Sequence, residues 1–91
     1  NWPKAVPAPP DAKFFGAASA TPPVAVWVSS KDVAAVRASV DRALTSDGFS
    51  KSDTTGTSTR STSWWNKGVL SVRVVVAQDQ GKTYVTQTIG G

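Results

Sequence analysis

Trp64-Trp65-Asn66-Lys67-Gly68-Val69-Leu70-Ser71-Val72-Arg73-Val74-Val75-Val76-Ala77, continuing through a polar turn to Ile89, decides how the other residues can be arranged. Leu70, Val72, Val74 and Val76 alternate with Val69, Ser71, Arg73, Val75 and Ala77, which is the period of a strand with two distinct faces. The residue types suit a pleated, half-buried surface. Gln78-Asp79-Gln80-Gly81-Lys82 supplies turn chemistry, with Gly81 available for positive φ. An even loop there sets Val85 opposite Val74 and Ile89 opposite Leu70, gathers the apolar groups on one face, and puts Tyr84 on the outer face beside Val75. On the other side, Asn66-Lys67-Gly68 reads as a three-residue hairpin loop with Gly68 left-handed. Trp64 then joins Leu70 and Val72, and Trp65 points outward. A loop one residue shorter or longer exchanges the two tryptophans.

Working back along the chain, Val24-Ala25-Val26-Trp27-Val28-Ser29 is a strand by the same alternation. Its three valines slightly outweigh Trp27 as the core face, although an indole buries more area than a valine. A helix over 31–47 follows. Ser29 or Ser30 can cap it, and Asp32 lies in the first turn, where the helix dipole favours an anion. Val33, Val36, Val40 and Leu44 form one stripe, widened by Ala43, and Arg37 and Asp41 are spaced to pair. Asp47-Gly48-Phe49 ends the helix, with Gly48 left-handed and Phe49 folding back toward Leu44. At about 1.5 Å per residue this helix matches the length of an eight-residue strand, so it can cover one sheet.

Residues 1–12 carry four of the six prolines and read as an extended arm or tether, from which Trp2 and Val6 could pack back. Residues 13–91 make a single domain, which a chain of this length can hold together with one modest core. Residues 13–19 form a short first strand, ended by Pro22-Pro23. Ser50–Ser63 is rich in Ser and Thr and reads as a solvated edge strand. Asp53-Thr54-Thr55-Gly56 is its turn, and Arg60 faces out as a guard against edge pairing. The predicted class is α+β, a single helix packed on one face of an antiparallel sheet in the order (β)-β-α-β-β-β.

The composition narrows the chemistry. His, Cys and Glu are absent from the 91 residues, so acid–base catalysis at neutral pH would rest on Asp, Lys or Tyr. Each of the six aspartates has a structural use in a linker, cap, pair or turn, and no local spacing makes two of them converge. Calcium, zinc and phosphate-loop motifs are missing, so no metal or cofactor is expected. The expectation is a non-enzymatic protein. No apolar run reaches the length of a membrane span. The absence of methionine and the start at Asn1 suggest a processed chain or fragment with its export signal removed. The Ala, Val, Ser, Thr and Asp bias suits an exported protein of a high-GC bacterium. A net charge of +4 comes from ten basic residues against six aspartates, spread without the cluster of a nucleic-acid footprint; such a balance can equally meet anionic wall polymers or lipid head groups, and the expectation is that it serves solubility.

Adjacent tryptophans on a strand point to opposite faces, so one is left outside the core unless the arm, through Trp2, Phe14 or Phe15, covers it. The candidate binding face therefore comprises Trp65, Arg73, Arg60, Ser71 and Tyr84. An indole there can stack on a sugar or nucleobase or anchor a protein.

Pro9-Pro10-Asp11-Ala12-Lys13, the helix Asp32-Val33-Ala34-Ala35-Val36 through Leu44-Thr45-Ser46-Asp47-Gly48-Phe49, and the late double hairpin resemble small exported bacterial lipoprotein domains. In those domains a proline-rich tether follows a lipid-modified cysteine, and the helix ends in a Leu-x-x-x-Gly-aromatic turn. The plan is also similar to the helix-on-sheet domains of envelope assembly lipoproteins. The resemblance implies a secreted, periplasmic or surface-tethered role and carries over no site residues; the anchoring cysteine is not among these residues. The function expected is an interaction module that binds a protein partner, itself included, or a cell-wall polymer through a sheet face or edge. A basic nucleic-acid binder using Arg60, Arg73 and Lys67 is the alternative, and a small inhibitor or immunity-type protein a further one.

Overall fold

Alternating apolar residues and helical spacing both produce the elements they predict in the computed structural model, which describes residues 6–10, 12–18 and 23–90. The order is β1 (Lys13–Ala18), β2 (Val24–Ser29), α1 (Val33–Ser46), β3 (Ser50–Gly56), β4 (Arg60–Lys67), β5 (Leu70–Asp79) and β6 (Lys82–Gly90). The strands form one antiparallel sheet ordered β1-β2-β6-β5-β4-β3. The protein is thus α+β, with its helix on one face of the sheet. The Ser/Thr-rich stretch contributes two strands instead of one. Asp53–Gly56 continues β3, and the chain reverses at 57–59, where the Thr57 N–H donates to the Arg60 carbonyl. Arg60 therefore opens an interior strand, and the edge it was expected to guard belongs to β3.

Two tight turns set the registers. Gln80 and Gly81 both have positive φ (50° and 78°), the signature of a type I′ turn, whose twist matches that of the flanking strands. The loop is therefore two residues long, with Val76 opposite Val85 and Val72 opposite Ile89. Each side chain stays on its predicted face, but the pairing slides by two residues and Tyr84 meets Ala77. At the other hairpin Lys67 pairs with Leu70, leaving Gly68 (φ 62°) and Val69 as a two-residue loop with the φ pattern of a type II′ turn. That shorter loop exchanges the tryptophans relative to the three-residue reading. Trp65 lies opposite Val72 in the core, 2% exposed, and Trp64 lies opposite Arg73 on the other face.

Asp32 is the N-cap of α1, its carboxylate accepting from the Ala35 N–H at 2.8 Å. Ser29, offered by the sequence as a cap, is buried at the end of β2 and accepts from the Lys31 N–H. Val33, Val36, Val40 and Leu44 are all buried, as their spacing predicts. At the C-terminus the Phe49 N–H donates to the Leu44 carbonyl and the Gly48 N–H to the Thr45 carbonyl, with Gly48 at φ 95°. This is a complete Schellman cap, closed by burial of Phe49. Asp41 pairs not with Arg37 but with Lys51 of β3, at 3.0 Å, and the Lys51 ammonium stands 5.4 Å from the Trp65 ring centroid.

One helix, about 10 Å across, cannot cover six strands about 4.8 Å apart. The contacts of α1 run to β5, β4 and β3. On the β2 side the core is filled by Trp27 and Ala25, with the three valines of β2 facing the opposite way. The larger area of the indole decides that orientation. The arm completes the layer. Val6 and Pro9 are buried, and Pro10 lies beside Ser39, Arg42 and Ala43 on the helix flank and beside Val28 and Ser29 of β2. Val6→Ala removes two buried methyl groups and is expected to cost about 2 kcal/mol. Urea unfolding checks this; an unchanged midpoint would show that the arm contributes no core.

Candidate functional site

The face of the sheet opposite α1 is covered by no described element. Antiparallel register arranges it in rows across the strands. Val28, Tyr84, Ala77 and Arg60 form one row, and Val26, Thr86, Val75, Thr62 and Thr55 the next. Val24, Thr88, Arg73, Trp64 and Asp53 form the third, and Gly90, Ser71 and Asn66 lie beyond it. The first rows are apolar at the β2 end, where Phe15, 67% exposed, packs edge-on against Tyr84 with centroids 5.8 Å apart. The last two rows are polar around one indole.

Those polar rows enclose a shallow depression of about 620 Å³ lined by Asp53, Trp64, Asn66, Ser71, Arg73 and Thr88, among others. Its geometry follows from local rules. Gly90 sits across from Ser71, and a Cβ there would come within 2.8 Å of Ser71 Oγ, so this corner carries no side chain. A bulge at Ser52 shifts the β3–β4 register between Lys51 and Asp53. Lys51 consequently faces the core side against Trp65, and Asp53 faces outward against Trp64. Ser52 secures the bulge by donating its hydroxyl to the Trp64 carbonyl at 3.2 Å. Trp64 is 37% exposed, and its cross-strand neighbours are Arg73 on β5 and Asp53 on β3.

Among the described residues, the Trp64 indole N–H, the Arg73 guanidinium, the Asn66 amide and the Ser71 and Thr88 hydroxyls make no hydrogen bond or ion pair. Asp53 uses one carboxylate oxygen to accept from the Thr54 N–H. The other aspartates of the described residues are placed elsewhere. Asp32 caps α1, Asp41 and Asp47 pair with Lys51 and Lys67, and Asp79 closes the β5–β6 hairpin opposite Lys82. Among the described residues no group of three or more Asp could hold a metal ion. No described helix is long and apolar enough to cross a membrane.

Of the five residues assigned from sequence, Arg73 and Ser71 come together in the depression. Tyr84 and Arg60 share the face but lie two rows away, about 13 Å along the strands. Trp65 is the correction. Its side chain is in the core, donating its indole N–H to Ser63 Oγ at 3.0 Å, and Trp64 occupies the outward position. Asn66, Thr88 and Asp53 were missed. Once Gly68-Val69 is read as the loop, parity from Arg73 identifies Asn66 and Thr88; the bulge that turns Asp53 outward has no sequence signature. Comparison of this chain with protein-family models, with curated proteins and with solved structures returns no match.

Proposed function

We propose that the chain is a non-enzymatic interaction module of a bacterial cell envelope or extracellular space, which binds a protein partner, a second copy or a wall polymer through the uncovered face of its sheet. The observation that carries this reading is the face itself. It spans the six strands, exposes Phe15 and Trp64, and gathers unpaired hydrogen-bonding groups around the indole. Faces of that kind on a small domain mark binding sites. The aspartates among the described residues are occupied by capping, pairing and turn roles or stand at the edge of the depression, which favours binding over acid–base chemistry. The extracytoplasmic placement rests on composition and on the proline-rich arm.

The nucleic-acid alternative needs its cations on one surface. Lys67 instead pairs with Asp47 at 3.4 Å and lies over the Phe49 ring, on the helix side, while Arg60 and Arg73 stand two rows apart with a carboxylate next to the indole. That arrangement weakens the phosphate-tracking groove such binding uses.

A photo-crosslinking residue introduced at position 75 or 86, in the middle of the uncovered face, should yield adducts in source cells that the same residue at Ala38, on the exposed side of α1, does not. Equal labelling at the two places, or none at the sheet face, overturns the reading. Recovery of the chain in the cytoplasmic fraction removes its envelope part.

A further inference from the structure

We infer that the depression around Trp64 is a subsite for a neutral glycan, with the indole stacking on a pyranose ring and its flanking polar groups bonding the hydroxyls. The inference rests on the interaction reading above and specifies the ligand of that face.

Three features of the depression select this chemistry. The first is the pairing of one partly exposed aromatic platform with a surround of unpaired groups. An indole offers its π-face to the apolar C–H side of a sugar, and a sugar is ringed by hydroxyls that both donate and accept. Arg73 and Asn66 donate, Asp53 and Asn66 accept, and Ser71 and Thr88 do either; Asn66 is two residues along the same strand as Trp64, and the others lie one or two strands from it in the same or the next row. The second is charge. Arg73 and Asp53 are the cross-strand neighbours of Trp64 on opposite sides and both line the depression, so their charges of opposite sign leave it with no net charge. A phosphate backbone or a carboxylate-rich chain would meet Asp53 as well as Arg73. The third is shape. The missing side chain at Gly90 and the small Ser71 leave the depression open along the sheet, which suits an extended polymer passing over the ring. A protein partner would be served better by the apolar rows at the Phe15–Tyr84 end, which lie outside this depression.

The test is an ¹⁵N–¹H NMR titration of the full chain with two neutral tetrasaccharides, β-1,4-linked glucose and β-1,4-linked N-acetylglucosamine, run at low and at high salt. Saturable shifts at Asp53, Trp64, Asn66, Ser71, Arg73 and Thr88 are expected with at least one of them, unchanged by salt. Trp64→Ala should weaken that binding about tenfold. Arg73→Gln, which leaves the core untouched, should weaken it by a smaller factor, and Arg37→Gln on the helix should leave it unchanged. The melting temperature of each variant guards against unfolding as the cause. Silence at millimolar concentration of both sugars, shifts confined to other surfaces, or binding of a single-stranded oligonucleotide that perturbs these residues and collapses with salt would each overturn the proposal. A silent titration alongside sheet-face crosslinks to a protein discards the glycan and leaves the interaction module standing; silence in both discards both.

Discussion

Trp65→Ala is expected to cost about 3–5 kcal/mol, a large share of the roughly 5–15 kcal/mol that holds a domain together. The side chain is fully enclosed between the sheet and α1. Its loss opens a cavity, leaves Ser63 Oγ without its donor and removes the ring under the Lys51 ammonium, which also pairs with Asp41 of the helix. Trp65→Phe separates these contributions, since it keeps an aromatic ring but not the indole N–H, and it should cost less than the alanine variant. Chemical denaturation of the two variants reads both values. The same truncation at Trp64 should leave stability within about 1 kcal/mol, because that residue stands outside the core. Equal destabilisation at the two positions would contradict the face assignment.

Gln87→Met is expected to act in the opposite direction. Gln87 is 0% exposed, on the core face of β6 between Val74 and Ala25, and neither end of its amide has a hydrogen-bond partner among the described residues. An unsatisfied buried amide costs about 1–3 kcal/mol. Methionine has nearly the same volume and flexibility without the polar atoms. The melting temperature should rise, by about 4–8 °C for each kcal/mol recovered in a domain of this size. A drop in stability would identify a buried water, bonded by the amide and lost with it. Because the residue faces away from the uncovered side of the sheet, binding there should be unaffected.

How much of this was legible in the sequence differs from element to element. The helix could be read almost to its ends, because Val33, Val36, Val40 and Leu44 form a local periodic signal and Gly48-Phe49 a local stop signal. Only the identity of the cap shifted, from a serine to Asp32. The face assignments of β5 and β6 could also be read, since parity survives any even loop. Exact pairing could not, because the lengths of both hairpin loops depend on positive φ at Gln80, Gly81 and Gly68, and Gln80 does not announce such a conformation. The site inherited that ambiguity, as one residue in the β4–β5 loop decides which tryptophan meets solvent. The strand β3 was obscured for a different reason. All seven of its residues are exposed, so no apolar pattern marks it, and its place is set by backbone pairing with β4. The role of the arm depends on width. Only when six strands are laid side by side does it become clear that one helix leaves a strip of sheet for Val6 and Pro9 to close.

The buried arm also governs how the domain would respond to mechanical load. Tension entering through residues ahead of Val6 does not end at the first strand. It reaches Val6, a side chain of the buried core, and withdrawing that side chain opens the core before the first strand is reached. A pull between the two ends of the chain would therefore load the Val6 anchor at one end and, at the other, β6, a central strand held by ladders to both β2 and β5.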